Sequence, residues 1–167
     1  MLNRAGKFKV DNEYYTPRSA WEQISQFIPK DKVVWEPFGY GKKHIGSPQF
    51  LRDLGCKQVV STNENFFRVD YGDVIITNPP FDQQSLEPIL KRLVHLEKPF
   101  ILILPTMKLQ TKYLQSALDP KHIQLILPRR TINFYQFVDG ERHCRQCAFD
   151  TLYLCYKMNL EHTVNFL

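Results

Sequence analysis

Asn78-Pro79-Pro80-Phe81 is the stretch whose residue types and order offer chemistry. An amide side chain carries an acceptor and two donors, each proline contributes a carbonyl without an N–H, and the phenylalanine adds a flat apolar ring. Acceptors beside a stacking face suit a ligand. A second candidate is Glu36-Pro37-Phe38-Gly39-Tyr40-Gly41, where a carboxylate precedes a turn whose two glycines allow tight bending and close approach of a ligand to the backbone. A third, His143-Cys144-x-x-Cys147, has the spacing of half a zinc site. No second Cys-x-x-Cys or His pair completes it, so no metal is expected, and Cys147 and Cys155 read as small buried residues.

The elements that must position these residues follow from patterning. Val74, Ile75, Ile76 and Thr77 are consecutive β-branched residues, apolar on both faces as in the buried centre of a parallel sheet. Pro79 and Pro80 cannot donate to a ladder, so the chain leaves the sheet there, and a residue held before proline is pushed to an extended conformation, which sets Asn78. The turn thus lies at the carboxyl end of a strand, the edge at which open α/β sheets bind ligands. Upstream, Thr16 can cap a helix beginning at Pro17, with Ala20, Trp21, Ile24, Phe27 and Ile28 at helical spacing and Pro29 ending it. Val33-Val34-Trp35 is a short strand feeding the Glu36 turn. Ser47 and Pro48 open a helix through Leu54 that Gly55 closes, and residues 57–62 form a strand followed by Asn65-Phe66-Phe67.

Beyond Phe81, Ser85 can cap a helix carrying Leu86, Ile89, Leu90, Leu93 and Val94 on one face. Residues 99–104 are a strand stopped by Pro105, 106–118 are helical in composition, and 122–127 are a strand. Two last strands, 131–138 and 149–156, flank the turn Asp139-Gly140 with no helix between them. Strands alternating with helices imply an α/β fold with a mostly parallel central sheet and an antiparallel strand at its C-terminal edge. Residues 1–13, with Arg4, Lys7 and Lys9, read as a flexible basic arm, and 14–167 as one domain.

A chain of 167 residues can bury its own core, and 43% hydrophobic with 23% charged residues excludes a disordered polymer. The net charge of +5 and pI near 9.0 lean towards a polyanionic partner. No apolar run approaches the roughly 20 residues that span a bilayer, and the N-terminus lacks the apolar stretch of a signal peptide. The expectation is an intracellular protein, cytoplasmic or nuclear, with no membrane partner and with reduced cysteines.

Taken in order, Tyr14-Tyr15-Thr16-Pro17, Glu36-Pro37-Phe38-Gly39-x-Gly41 and Asn78-Pro79-Pro80-Phe81 resemble the S-adenosylmethionine-dependent amino methyltransferases, and among them N6-adenine methyltransferases whose cofactor motif precedes the catalytic one. Phe149-Asp150-Thr151-Leu152-Tyr153 is similar to the family's last strand, so the resemblance covers most of the chain. It implies a Rossmann-like methyltransferase fold, S-adenosyl-L-methionine as cofactor and nucleic acid as substrate. An exocyclic base nitrogen is a poor nucleophile because its lone pair is delocalised into the ring. Two acceptors aimed at its hydrogens favour the pyramidal form that can attack a methyl sulfonium: the Asn78 side-chain oxygen and, by the resemblance, the Pro79 carbonyl, with Pro80 stiffening the turn. Phe81 would stack on a target base that is flipped out of a duplex or already unpaired. Positioning against an activated cofactor carries such a reaction without a nucleophilic residue or a metal.

The resemblance also places Tyr15, Thr16 and Pro17 at the cofactor's carboxylate end, Glu36 opposite its ammonium, and Pro37, Phe38, Gly39 and Gly41 along it. Plainer readings are a helix start for Thr16-Pro17 and a solvated strand-end carboxylate for Glu36. The acidic residue that holds the ribose hydroxyls in the family falls within Thr62-Asn63-Glu64, where Asn63 or Glu64 can serve. The segment that binds the adenine amino group appears as Asn65-Phe66-Phe67, with the Asn65 oxygen still an acceptor and Phe66 and Phe67 walling the ring or filling core. Arg129, Arg130, Arg142 and Arg145 flank a late hairpin near Phe134, Tyr135 and Phe137, which suits phosphate contact with base stacking, or a solvated hairpin.

Guanine-N2 methyltransferases of structured RNA and protein glutamine methyltransferases share an Asn-Pro-Pro-aromatic turn; Phe81 and the basic charge speak against glutamine. A catalytically silent subunit that binds nucleic acid or a partner is the reading of another class, and the intact Asn78 speaks against it. The pattern is similar to small phage-type or virus-type enzymes, which favours DNA over RNA. Catalytic elements fill the chain, so no separate target-recognition domain is expected, and sequence choice falls to the arm, the region after Pro105, the hairpin over 128–148 or a second subunit.

Overall fold

The β-branched run before Asn78 is a strand with every residue buried, Val74–Thr77 (β3), and the sheet is built outwards from it. The computed structural model describes residues 14–39, 46–138, 141–144 and 149–167, apart from the side chains of 136–138, 141, 142 and 144. The expected arm over 1–13, Gly41, the turn Asp139-Gly140, Arg145 and Cys147 lie outside the described residues, as do the side chains of Phe137, Arg142 and Cys144. The other strands are β1 (Val33–Trp35), β2 (Gln58–Val60), β4 (Phe100–Pro105), β5 (Ile123–Leu127), β6 (Tyr135–Val138), β7 (Glu141–Cys144), β8 (Thr151–Tyr156) and β9 (Val164–Phe166). Seven of them form one sheet in the order β2-β1-β3-β4-β8-β5-β9, while β6 and β7 form a separate antiparallel hairpin.

All neighbouring pairs in the large sheet are parallel except those made by β8, which runs antiparallel to both β4 and β5. The antiparallel strand therefore lies in the C-terminal half of a mostly parallel sheet, and β9, an element the patterning does not announce, adds a parallel strand beyond β5. Alternation sorts the side chains to two cores. On one face Ala20, Trp21, Ile24 and Leu51 pack with Val34, Ile76, Ile101, Ile103 and Tyr153. On the other, Leu86, Ile89, Leu90 and Leu93 of α3 (Gln83–His95) and Leu114 of α4 (Lys112–Ala117) pack with Trp35, Ile75, Phe100, Leu102 and Leu154. Each such aliphatic side chain contributes about 1.5–3 kcal/mol by leaving water. Cys155, at 0% exposure, belongs to the first core, where burial pushes its thiol up to about 12. Among the described residues no helix is long and apolar enough to cross a membrane.

Several helix ends depart from expectation for identifiable reasons. The helix expected over 17–28 is α1 (Arg18–Glu22) followed by a 3-10 turn at Ser25–Phe27. The Ala20 carbonyl, which a continuing helix would offer to Ile24, instead accepts the buried Tyr153 hydroxyl, whose proton burial holds well above the ordinary range. Thr16 makes no cap; Pro17 occupies that position. Gly46, not Ser47, precedes α2 (Ser47–Asp53), and the Ser47 hydroxyl accepts the Trp21 indole N–H at 2.9 Å. Gly55 closes α2 as expected, at a φ of 96° that strains any other residue. The expected helix over 106–118 is divided into a 3-10 turn at Thr106–Gln110 and α4, because the Thr111 hydroxyl donates to the Lys108 carbonyl at 2.7 Å.

The cap of α3 is Asp82 rather than Ser85. Its carboxylate accepts the Ser85 N–H at 3.0 Å, and the buried Ser85 side chain lies against the same carboxylate, helping to hold it below the ordinary carboxylate range. Asp82→Ala is expected to destabilise the fold by about 1 kcal/mol, and Ser85→Ala, which keeps the backbone N–H that Asp82 accepts, by less. Urea unfolding of the two variants distinguishes the capping residue.

Candidate active site

The chain passes from β1 out to β2 and then returns to place β3 on the other side of β1. At such a reversal the connections leave in opposite directions and open a crevice beyond the carboxyl ends of the two central strands, where open α/β sheets take their ligands. Both chemical turns are there: residues 36–39 follow β1, and residues 78–81 follow β3.

Asn78 is partly buried, and its amide is held at one end only. The Nδ2 group donates to Thr16 Oγ1 at 3.0 Å, while Oδ1, buried, accepts no hydrogen bond from any described residue. Leaving a buried acceptor open costs about 1–3 kcal/mol, so the arrangement persists because the surrounding β3 core over-determines it. Thr16, 7% exposed, thereby brings the N-terminal motif to the Asn-Pro-Pro-Phe turn across more than sixty residues of sequence.

Glu36 is 2% exposed, which removes the solvated-carboxylate reading. Its Oε1 accepts the Thr77 hydroxyl at 2.5 Å and the Phe38 N–H at 3.3 Å. Thr77 directly precedes Asn78, so one carboxylate ties the turn after β1 to the last residue of β3. Gly39 is required here for space, since its φ is not among the positive ones. A Cβ on it would lie 1.7 Å from Glu36 Oε2 and 2.7 Å from the Pro48 ring. The crowding that excludes a side chain comes from the protein's own carboxylate and the first turn of α2. Pro17 is buried; Pro37 and Phe38 are partly so.

The segment after β2 is only in part as expected. Asn63, Glu64 and Asn65 are exposed. Glu64 accepts the Tyr71 hydroxyl at 2.6 Å, and Asn65 Oδ1 accepts the N–H of Phe67 at 2.9 Å, a local turn that already engages the acceptor expected to meet a ligand amino group. Phe66 is buried, its ring centroid 5.3 Å from Trp35 and 5.2 Å from Phe38, while Phe67 is 37% exposed. Phe66 thus fills core beneath the Phe38 turn.

Aromatic rings gather at Phe81. Tyr14 lies at a centroid distance of 6.5 Å and an interplanar angle of 29°, and Phe134 and Phe149 meet the Phe81 ring at 6.2 Å and 6.0 Å, nearly edge-on. Phe134 is fully buried in this cluster, which corrects the expectation that it is presented for stacking on nucleic acid. Arg129 and Arg130 are exposed, and the Arg129 Nε donates to the Leu167 carbonyl. The hairpin is fastened to the same region: Tyr15 N–H donates to the Tyr135 carbonyl at 2.8 Å, and Tyr135 N–H to the Tyr15 carbonyl at 3.0 Å. Sequence reasoning missed Thr77, Tyr14 and Phe149 as site residues. Tyr14 and Phe149 had a usable signal, each being the aromatic at the edge of a motif; Thr77 reads only as a strand residue.

No family model matches the chain, and no curated protein matches it. Among solved structures, a candidate RNA methyltransferase of Pyrococcus horikoshii is similar at a TM-score of 0.51 and 17% identity, over 90% of this chain and 91% of that one. A candidate class I S-adenosylmethionine-dependent methyltransferase of Listeria monocytogenes matches 97% of this chain and 67% of its own at 11% identity and a TM-score of 0.49. A precorrin-6y C5,15-methyltransferase of Geobacter metallireducens matches 90% of this chain and 98% of its own at 14% identity and a TM-score of 0.43. The first of these likenesses establishes the fold alone: the chain has the Rossmann-like fold of a methyltransferase.

Proposed function

We propose that this chain transfers a methyl group from S-adenosyl-L-methionine to the exocyclic N6 of adenine in nucleic acid, with DNA favoured over RNA, through one catalytic domain over 14–167. The observation that carries the reading is the open, buried Asn78 Oδ1 at the strand-order reversal. An amino N–H is the group that completes it, and doing so draws electron density onto the nitrogen that must attack. The Pro79 carbonyl is proposed as the second acceptor and Phe81 as the stacking face.

The residues present fit the cofactor. The packed turn over 36–39 and the buried Thr16 border the crevice beside Asn78, and Glu36, Pro37, Phe38 and Gly39 with Tyr15, Thr16 and Pro17 would hold its methionine end. Asn63 or Glu64 would meet the ribose, the latter by exchanging its Tyr71 partner. When bound, the cofactor supplies an electrophilic methyl on a sulfonium. The chain's own residues do the rest: they orient the amino group, hold its hydrogens at Asn78, and exclude water with the aromatic cluster. The net charge of +5 and the exposed Arg129 and Arg130 favour a polyanionic substrate, which Arg142 would also engage. Target choice would fall to the hairpin, the N-terminal arm or a second subunit.

The test is labelled-methyl transfer to unmodified single-stranded DNA, duplex DNA and RNA, with the product nucleoside identified by mass spectrometry. N6-methyldeoxyadenosine is expected. N2-methylguanosine from RNA would substitute the guanine enzyme, labelled protein the glutamine enzyme, and cofactor binding without transfer the silent subunit.

A further inference from the structure

We infer that the target base is held in a slot between the rings of Tyr14 and Phe81, so that Tyr14 is the second wall of the base site. The inference rests on the nucleic-acid reading above and narrows its ligand to a planar, amino-bearing heterocycle. Of the described rings around Phe81, Tyr14 alone turns a face to it, at 29° and a centroid distance of 6.5 Å; Phe134 and Phe149 present edges, at 67° and 86°. Two walls that sandwich a base stand about 7 Å apart, one stacking distance on either side. The pair is therefore within a small side-chain rotation of an open slot.

Both slot rings are half-buried, whereas Phe134 is fully buried and packs edge-on against Tyr14 at 5.9 Å, which makes it the floor. Phe149 meets Tyr14 at 6.5 Å and closes one side. The walls are also in register with the acceptor. Phe81 is three residues from Asn78, and Tyr14 is two residues from Thr16, whose hydroxyl holds the Asn78 amide. Tyr15, between them, is clamped to Tyr135 by two backbone hydrogen bonds, so Tyr14 is fixed from both directions. A heterocycle whose amino group meets Asn78 Oδ1 thus finds its ring between two aromatic faces. A glutamine side chain has no ring to fill them.

The test uses the full chain with oligodeoxyadenylate. Tyr14→Leu keeps an apolar side chain but removes the flat face, and should raise the KM for the oligonucleotide about tenfold or more with cofactor affinity unchanged, beside a lowered melting temperature from the lost ring contacts; Tyr14→Phe should stay within twofold of wild type. An unchanged KM for Tyr14→Leu overturns the slot, and so does a lowered one, which would make the ring a plug. Should Tyr14→Leu fail to fold, wild-type protein photocrosslinked to an 8-azidoadenine oligomer gives a second reading: an adduct on Tyr14 or Phe81 supports the slot, and one elsewhere overturns it. Failure of the functional reading is separate, appearing as no methyl transfer by the wild-type chain.

Discussion

Asn78→Ala is expected to lower methyl transfer by about two to three orders of magnitude, the usual cost of deleting a group aimed at charge that develops in a transition state. Cofactor affinity should stay within a few-fold, because the proposed cofactor residues lie on other segments. The stability of the variant carries independent information. The substitution removes one hydrogen bond, to Thr16, but also removes a buried oxygen that accepts none from any described residue. These effects oppose each other at about 1 kcal/mol and about 1–3 kcal/mol, so Asn78→Ala should melt no lower than wild type. Thr16→Val is the companion variant: Oδ1 survives with its orientation released, so the rate of transfer at saturating cofactor falls by less, while cofactor affinity falls because Thr16 is also proposed to hold the methionine end. Single-turnover rates, cofactor titration and thermal melts of the two variants check this. If Asn78→Ala loses transfer and cofactor affinity in equal measure, Asn78 serves the structure of the crevice rather than the reaction.

Much of this site was legible because its positions are set by local rules. Four β-branched residues followed by two prolines end a strand, whatever surrounds them, and β3 and Asn78 stand where that rule puts them. The mostly parallel sheet likewise follows from the alternation of strands and helices. The misses share a different cause, competition from distant groups. Thr16 is a good capping residue by type, yet its hydroxyl serves Asn78; Ser47 is another, and its hydroxyl serves Trp21. Asn65 has the type of a ligand acceptor, but its own turn reaches it first. Phe134 looked like a presented aromatic because the hairpin around it is basic, while the Tyr14 and Phe81 rings draw it inside. The insertion of β8 between β4 and β5 and the addition of β9 rest on long-range pairing, for which the local pattern carries no signal.

Gly39→Ala is the second change expected to have a large effect, although it adds a single methyl group. That methyl would lie 1.7 Å from Glu36 Oε2, a separation no packing tolerates, and 2.7 Å from two atoms of the Pro48 ring. Pro48 stands in the first turn of α2 and cannot rotate away, so the Glu36 carboxylate must move. Its movement breaks the 2.5 Å hydrogen bond from Thr77 and the 3.3 Å bond from the Phe38 N–H, and with them the link between the two turns of the crevice. Overpacking of this kind costs about 1–3 kcal/mol, so a measurable drop in melting temperature is expected. Loss of S-adenosylmethionine affinity by at least about tenfold should accompany it, since the displaced carboxylate is the group proposed to meet the ammonium. Gly39→Val should be worse in both respects. Calorimetric titration beside a thermal melt separates the two effects. A lowered melting temperature with cofactor affinity unchanged would make the turn after β1 structural only, and would move the cofactor away from Glu36.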